Sequence, residues 1–389
     1  MSAAEEIARR IRREGPIPFE TFMEHALYEP DGGFFTSGGG AGRAGRDFIT
    51  SPEVGSLYGA CVAESLTRGW REMGEPDPFV VVEAGAGNGR LAADVLRVQP
   101  DFASALRYVL VERSPRLRDE QRARLPLEPR DEALGPFVER DDRAEPLPRR
   151  GPIVASIPDL PAITFEGIVF ANELLDNLPF GIAAFDGTRW NEVRVTVDGD
   201  CFVEVLVPLV DDHALPDVGA GARVPIPHAL TAWFADLATV LRRGYVLLVD
   251  YIVTMDELLA RGDDWLRTYR GHGSGNDPLS EPGSSDITGD VVREQLLRAA
   301  ATAGFTLVAE HTQADWLRGL GIDALVDEGR RAWEEGAARG DLAAVAGRSR
   351  VNEAAALTDP AGLGAHRVVL LARSAQSPGF DRMTSFLSY

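Results

Sequence analysis

The sequence contains no lysine, so all 40 of its basic side chains are arginine, and they are outnumbered by 60 acidic residues. The absence of lysine excludes a Walker-type phosphate-binding loop, because that loop depends on a lysine that reaches the phosphates. The net charge of −20 argues against a nucleic-acid partner, since affinity for phosphates needs a positive surface. Such a charge would attract a cationic ligand or an arginine-rich protein, although it also serves solubility alone.

Cysteine, histidine and long apolar runs are also scarce. Cys61 and Cys201 are far apart, and the six histidines show no HExxH spacing, which argues against a metal site. Two isolated cysteines are typical of a reducing compartment, and we expect a cytoplasmic protein. Runs such as YVLLVDYIV are too short to span a bilayer. The N-terminal MSAAEEIARRIRREG carries acids and lacks an apolar core, so it predicts a first helix and not a targeting signal.

The chain is organised around the stretch FVVVEAGAGNG, residues 79–89. Its β-branched run predicts a buried parallel strand, and Gly85, Gly87 and Gly89 then lead into a helix that starts at Arg90. A strand, a glycine turn and a helix can hold a nucleotide, because the backbone approaches the ligand and the helix offers free N–H groups. The spacing is GxGxG and not the GxGxxG that is typical of pyrophosphate binding, so a pyrophosphate is not the expected ligand. A tight turn without a ligand is the alternative.

Polar residues end the other predicted parallel strands. Glu112 ends the next strand, LRYVLVE, 23 residues after Gly89. At about this distance a doubly wound sheet places an acidic residue that binds the hydroxyls of a ribose. Asn172 and Glu173 follow GIVFA, and Asp250 ends YVLLVD. Open α/β sheets bind ligands at the carboxyl ends of their strands, so these residues are candidates for one site. The alternative for Glu112 is a surface glutamate at a strand end. The alternative for the segment that begins at Asn172 is a turn with a helix cap.

The order of elements predicts an α/β fold with a mostly parallel sheet. Residues 1–75 are predicted to form a helical segment, in which Ser51 can cap the helix that follows it. Residues 76–373 form the main domain, and 374–389 form a tail. Alternating patterns predict an antiparallel insertion at about 180–227, and a second insertion occupies about 252–289.

The chain resembles the MidA-like class I S-adenosylmethionine (SAM) dependent methyltransferases, which are related to the mitochondrial arginine methyltransferase that assists assembly of respiratory complex I. The resemblance spans nearly the whole chain, and GRDFITSPE and ANExxDxLP are its most specific motifs. The other matching stretches are PIPFETFMEHALYEPDGGFF, VVVEAGAGNG, VERSPRLRDEQRARL, LLVDY, LRTYRGHGSGNDPL, PGSSDIT and DPAGLG. The chain departs from the family at Ala86, Asn88, Ile252 and Gly289-Asp290, and it has an extra segment near 148–165.

The resemblance implies a class I methyltransferase (Rossmann-like) sheet, SAM as the cofactor, no metal, and three groups of site residues. The implied cofactor-binding residues are Thr50, Ser51, Glu53, Glu83, Gly85, Gly87, Gly89 and Glu112. The resemblance also implies that Asp47–Glu53 forms a lid over the cofactor, with simple helix capping as the alternative for that stretch. The implied catalytic residues are Asn172, Glu173 and Asp176. The carboxylates of Glu173 and Asp176 would orient a guanidinium and take its proton. The residues that would line or close over the acceptor are Asp250, Tyr251, Tyr269, Arg270 and His272.

We therefore expect a SAM-dependent methyltransferase that acts on a protein side chain, with arginine favoured. A small-molecule methyltransferase and a SAM-binding assembly factor without catalysis stay open. A dinucleotide oxidoreductase is disfavoured by the GxGxG spacing. The methyl acceptor is the expected partner, with no nucleic acid and no membrane insertion, and a homodimer is an open alternative.

Overall fold

The computed structural model describes residues 2–40, 49–135, 150–210, 215–271, 273–336 and 342–374. Asp47 of the predicted lid, His272 and the predicted tail beyond residue 374 lie outside these ranges. The helices are α1 (Ala3–Glu14), α2 (Phe19–Tyr28), α3 (Phe34–Ser37), α4 (Ser51–Val54), α5 (Ser56–Glu72), α6 (Arg90–Arg97), α7 (Pro115–Arg124), α8 (Arg130–Leu134), α9 (His228–Val240), α10 (Met255–Ala260), α11 (Arg293–Thr302), α12 (Gln313–Gly319), α13 (Ile322–Gly336) and α14 (Leu342–Leu357).

The strands follow most of the predicted apolar runs. They are β1 (Ile17–Pro18), β2 (Phe79–Ala84), β3 (Leu106–Val111), β4 (Ile153–Ile157), β5 (Phe165–Asn172), β6 (Gly181–Phe185), β7 (Trp190–Asp198), β8 (Cys201–Pro208), β9 (Arg223–Ile226), β10 (Leu241–Asp250), β11 (Ile252–Val253), β12 (Leu266–Arg270), β13 (Gly273–Gly275), β14 (Asp286–Gly289), β15 (Val291–Val292), β16 (Thr306–Thr312) and β17 (Arg367–Arg373).

The chain divides into two compact units, each with its own core. Unit 1 comprises residues 1–48, 174–235 and 251–300. It therefore joins the N-terminal helices to both of the segments that the sequence marks as insertions, 180–227 and 252–289. Unit 2 comprises residues 49–173, 236–250 and 301–389.

Unit 2 is built on a mixed, mostly parallel sheet. Within the described ranges its strand order is β16-β17-β10-β5-β2-β3-β4, and β17 runs antiparallel to both of its neighbours. The central strands β2 and β3 are buried along their whole length, as near-continuous Val and Leu runs in a parallel sheet require. The predicted mostly parallel α/β sheet is confirmed.

Unit 1 contains an antiparallel sheet in which β7 pairs with β8 over residues 191–208 and with β6 at residues 183–192. Strand β1 also pairs with β7, and Ile17 lies opposite Val195. The apolar faces of α1 and α2 pack with these strands in a core that includes Ile7, Phe19 and Phe22. The alternation around Asp186-Gly187 and Asp198-Gly199 thus gave antiparallel hairpins, as such turns favour.

Candidate functional site

The carboxyl ends of β2, β3 and β5 meet at one edge of the unit 2 sheet. The chain runs outward from β2 through β3 to β4 and then returns to place β5 on the other side of β2. Ligands of open α/β sheets bind where the strand order reverses in this way. Ala84 is paired with Val111 on one side and with Ala171 on the other. The next residues, Gly85, Glu112 and Asn172, therefore share this edge, as the sequence predicted.

The glycine turn after β2 has a backbone that only glycine adopts easily. Gly85, Gly87 and Gly89 have φ values of 70°, 54° and 76°, in the left-handed region. A Cβ atom added at Gly87 would meet nothing within 4 Å, so the turn faces open space there. The turn therefore has room for a ligand close to its backbone.

Two side chains hold the peptide groups of Gly87. Oε2 of Glu112 accepts the Gly87 N–H at 3.0 Å, and Oε1 accepts the Ser114 N–H at 2.8 Å. Nε2 of Gln121 donates to the Gly87 carbonyl at 2.7 Å. Burial raises the pKa of Glu112, against the effect of these backbone hydrogen bonds. Glu112 thus orders the turn, a role that the sequence did not indicate.

Glu83 lies buried beneath the turn. The hydroxyl of Tyr108 on β3 donates to its Oε2 at 2.7 Å. Burial, assisted by the nearby charge of Glu112, raises the pKa of Glu83 to about 8, although the Tyr108 hydrogen bond acts in the opposite direction. Glu83 is therefore mostly protonated at pH 7, because its ionisation inside the folded protein would cost free energy.

The raised pKa of Glu83 predicts how stability depends on pH. The folded state binds a proton that the unfolded chain releases near pH 4.5, so stability falls as pH rises from there to about 8. By pH 7 the fall due to Glu83 is about 3 kcal/mol. Glu83→Gln keeps a neutral group in place, so its urea unfolding midpoint should decline less than that of the wild type between pH 5 and pH 8. Parallel declines in the two proteins would contradict a neutral Glu83.

The segment before α5 is tied to the same edge of the sheet. The N–H of Ser51 donates to Oε1 of Glu173 at 3.0 Å, and the Ser51 hydroxyl donates to Gln313 at 2.9 Å. Oε1 of Glu53 accepts the side-chain amide of Asn88 at 3.1 Å. The prediction that Ser51 caps the following helix is wrong. Thr50 occupies the cap position, without a side-chain hydrogen bond, and the Ser51 hydroxyl is bound to Gln313 and caps nothing.

The residues that follow β5 form a second hydrogen-bonded group. The Tyr58 hydroxyl donates to Oδ1 of Asn172 at 2.5 Å, and Nδ2 of Asn172 donates to Oε1 of Glu173 at 3.0 Å. Glu173 has a φ of 50°, which is uncommon for a residue other than glycine, and its N–H donates to Val249 at 2.8 Å. Strained backbone of this kind is often found at functional sites. Asp250, at the end of β10, is almost fully buried.

In unit 1, Asp176 is a buried carboxylate with one oxygen in use. The Thr288 hydroxyl donates to its Oδ2 at 2.5 Å, whereas Oδ1 has no hydrogen-bond partner among the described residues. Burial raises the pKa of Asp176 to about 6, although the Thr288 hydrogen bond and the charge of Arg267 lower it. A buried acceptor without a donor is costly, so this oxygen is suited to receive one from outside the protein.

The other acceptor candidates are distributed over unit 1. The guanidinium of Arg267 lies over the Tyr251 ring at 5.5 Å and also binds Asp290, which accepts from Arg261 as well. Asp290, a departure from the family pattern, is thus held by two arginines. Tyr269 lies on β12 opposite Asp286, and the exposed Arg270 forms an ion pair with Glu281. His272 lies outside the described residues.

Within the described ranges, no cluster of three or more His, Cys, Asp or Glu side chains could hold a metal ion. Of the helices that the structure describes, none is both long and apolar enough to cross a bilayer.

Comparison with known proteins gives matches across most of the chain. A family model described as "Putative S-adenosyl-L-methionine-dependent methyltransferase" matches residues 61–310. "Protein arginine methyltransferase NDUFAF7 homolog, mitochondrial" of Drosophila melanogaster is 30% identical over 78% of this chain and 71% of its own length. The protein arginine methyltransferase NDUFAF7 of Xenopus tropicalis is 28% identical over 81% of this chain and 74% of its own.

A solved structure is similar as well. A "likely methyl transferase" from Burkholderia thailandensis, crystallised with S-adenosyl-homocysteine, superposes with a TM-score of 0.77 at 26% identity, over 96% of this chain and 92% of its own. The expectation of a cytoplasmic location is wrong, because the curated relatives that match this chain are named mitochondrial proteins.

Proposed function

Because the chain belongs to the family of SAM-dependent methyltransferases, we propose that it transfers the methyl group of SAM to an arginine side chain of a protein. The resemblance inferred from the motifs is confirmed. The observation that carries the choice of acceptor is the buried carboxylate of Asp176, whose Oδ1 lacks a donor among the described residues. The names of the relatives, which are protein arginine methyltransferases, support the same choice.

We further propose that the unit 2 sheet has the class I methyltransferase fold. Its seven strands in the described residues, with the single antiparallel strand β17, support this assignment. The division into a helical segment and lid (1–75), a methyltransferase domain (76–373) and a tail (374–389) stays a proposal. The homodimer also stays a prediction.

The cofactor is proposed to lie at the glycine turn. SAM supplies an activated methyl group on a sulfonium, and the chain's task is alignment. The open space beside Gly87 and the left-handed turn fit a ligand that approaches the backbone. Glu112 would hold the ribose hydroxyls while it orders the Gly87 amide. The remaining proposed contacts are Thr50, Ser51, Glu53, Glu83, Gly85 and Gly89.

Asp176 is proposed to take the proton that the acceptor must lose. A guanidinium nitrogen that gains a methyl group releases a proton, and Oδ1 of Asp176, which has no hydrogen-bond partner among the described residues, would accept it. With a pKa of about 6, Asp176 is ionised at neutral pH yet holds a proton readily. Asn172, Glu173, Asp250, Tyr251, Tyr269, Arg270 and His272 are proposed to orient the acceptor. The net charge of −20 favours a cationic protein segment over a nucleic acid.

The proposal is tested by transfer of a labelled methyl group. Incubation of the protein and labelled SAM with a cell lysate should place the label on arginine side chains of one or a few proteins, identified by mass spectrometry. A preparation that carries Asp176→Asn serves as the comparison and should label those proteins at a rate that is lower by roughly 10²-fold or more. Label confined to small molecules would indicate a small-molecule methyltransferase instead. SAM binding without any transfer would indicate an assembly factor.

A further inference from the structure

The short segment 50–57 connects several parts of unit 2. Its Ser51 N–H binds Glu173 after β5, and its Glu53 carboxylate binds Asn88 in the glycine turn. Asn88 in turn accepts the Arg90 N–H at 3.0 Å through its Oδ1, at the start of α6. The position of segment 50–57 is therefore coupled to the conformation of the glycine turn.

A side chain nearly 300 positions further along the chain holds the end of this segment. Oε2 of Glu353 on α14 accepts the Leu57 N–H at 3.0 Å, and Oε1 accepts the Ser349 hydroxyl at 2.7 Å. The Leu57 N–H belongs to the first turn of α5, where amides have no partner within the helix. A carboxylate there also interacts favourably with the helix dipole. Glu353 therefore fixes where α5 begins. Only 7% of Glu353 is exposed, so its carboxylate is held inside the protein.

Gly55 gives independent support for this contact. Its backbone is extended, with φ of 167°, so the conformation does not require glycine. A Cβ atom at position 55 would lie 2.1 Å from the carboxyl carbon of Glu353 and about as close to both of its oxygens. Because Gly55 has no side chain, the Glu353 carboxylate can occupy the space beside it.

We propose that Glu353 is a positioning residue for the cofactor: it anchors segment 50–57 so that Glu53 reaches Asn88 and the glycine turn is held ready for SAM. This inference rests on the proposed cofactor site at Gly85–Gly89. The alternative is that Glu353 caps α5 for stability alone. The bond from the Ser51 hydroxyl to Gln313 does not involve Glu353, so we expect the segment to stay attached at its other end when Glu353 is changed.

The test compares variants by calorimetric titration with SAM and by thermal melting of the full chain. Glu353→Ala should raise the Kd for SAM roughly tenfold, about the loss of one hydrogen bond to a charged group. Gly55→Ala should raise it similarly, because the added methyl displaces the carboxylate. The double variant should bind no more weakly than Glu353→Ala, since without the carboxylate the methyl has room. Glu353→Gln should restore most of the affinity, because its amide oxygen still accepts the Leu57 N–H.

Lower melting temperature with unchanged SAM affinity in Glu353→Ala would overturn the proposal and leave a structural cap. Additive losses in the double variant would also overturn it, because Gly55 and Glu353 would then act separately. Gly87→Val distinguishes this failure from that of the cofactor site. If Gly87→Val still binds SAM, the site placement fails and the role of Glu353 with it. If Gly87→Val abolishes binding and Glu353→Ala does not affect it, only the Glu353 proposal fails.

Discussion

Asp176→Asn is expected to lower methyl transfer by roughly 10²-fold or more while SAM affinity stays nearly unchanged. The change keeps the shape of the side chain and its contact with Thr288 but removes the proton acceptor at Oδ1. In the wild type the transfer rate should fall as pH drops through about 6, because Asp176 must be ionised to accept a proton. Turnover and SAM binding are measured on one preparation, with an acceptor protein found by the labelling experiment.

Asp286→Asn is the matched control for this variant. Asp286 is as buried as Asp176, but its Oδ1 already accepts the Asn177 amide at 2.9 Å. We expect Asp286→Asn to retain transfer even if it lowers stability. If Asp176→Asn loses SAM binding and turnover in parallel, Asp176 is a folding or cofactor residue. If neither changes, the segment after β5 is a capped turn, and the acceptor site must be sought around Tyr251 and Tyr269.

Gly87→Val is expected to abolish SAM binding. Its side chain would project into the open space beside the turn, where the backbone is proposed to meet the ligand. Valine is also strained at a φ of 54°, by about 1–2 kcal/mol, so a loss of stability must be separated from a loss of the site.

Gly74→Val provides that separation. Gly74 follows α5, has a φ of 86°, and would likewise place a Cβ atom in open space. The two variants should therefore lose similar stability in thermal melts. Only Gly87→Val should lose affinity in calorimetric titrations. Unchanged SAM affinity in Gly87→Val would refute the placement of the cofactor at this turn.

The edge of the unit 2 sheet could be predicted because it has local signals. An apolar run that ends in a polar residue marks the carboxyl end of a buried strand, and this identified Gly85, Glu112 and Asn172. Parallel strands align their carboxyl ends, so these residues could be expected at one edge, although the sequence did not predict which strands are neighbours. The structure pairs Ala84 with Val111 and with Ala171. The turn conformation followed from the glycines.

The supporting contacts could not be predicted, because they join residues that are distant in the sequence. The hydrogen bond between Asp176 and Thr288 spans 112 positions, and that between Leu57 and Glu353 spans 296. Neither leaves a periodic pattern in the chain. Ser51 shows the same limit, since its position before Pro52 favours a cap but its hydroxyl binds Gln313, 262 positions away. Local propensity was overridden there by a tertiary contact.

The three-part construction of unit 1 has a consequence for synthesis on the ribosome. Ile17 pairs with Val195, so the amino-terminal helices emerge about 180 residues before the strand that receives them. At about 5–20 residues per second, this interval lasts roughly 10–40 s. During it Phe19 and Phe22, fully buried in the finished protein, have no β7 to cover them. During this interval the helices must be kept from aggregating, either by their own charged residues or by a chaperone. Helix α1 carries Glu5, Glu6, Arg12 and Arg13, whose charges favour solubility before β7 is made.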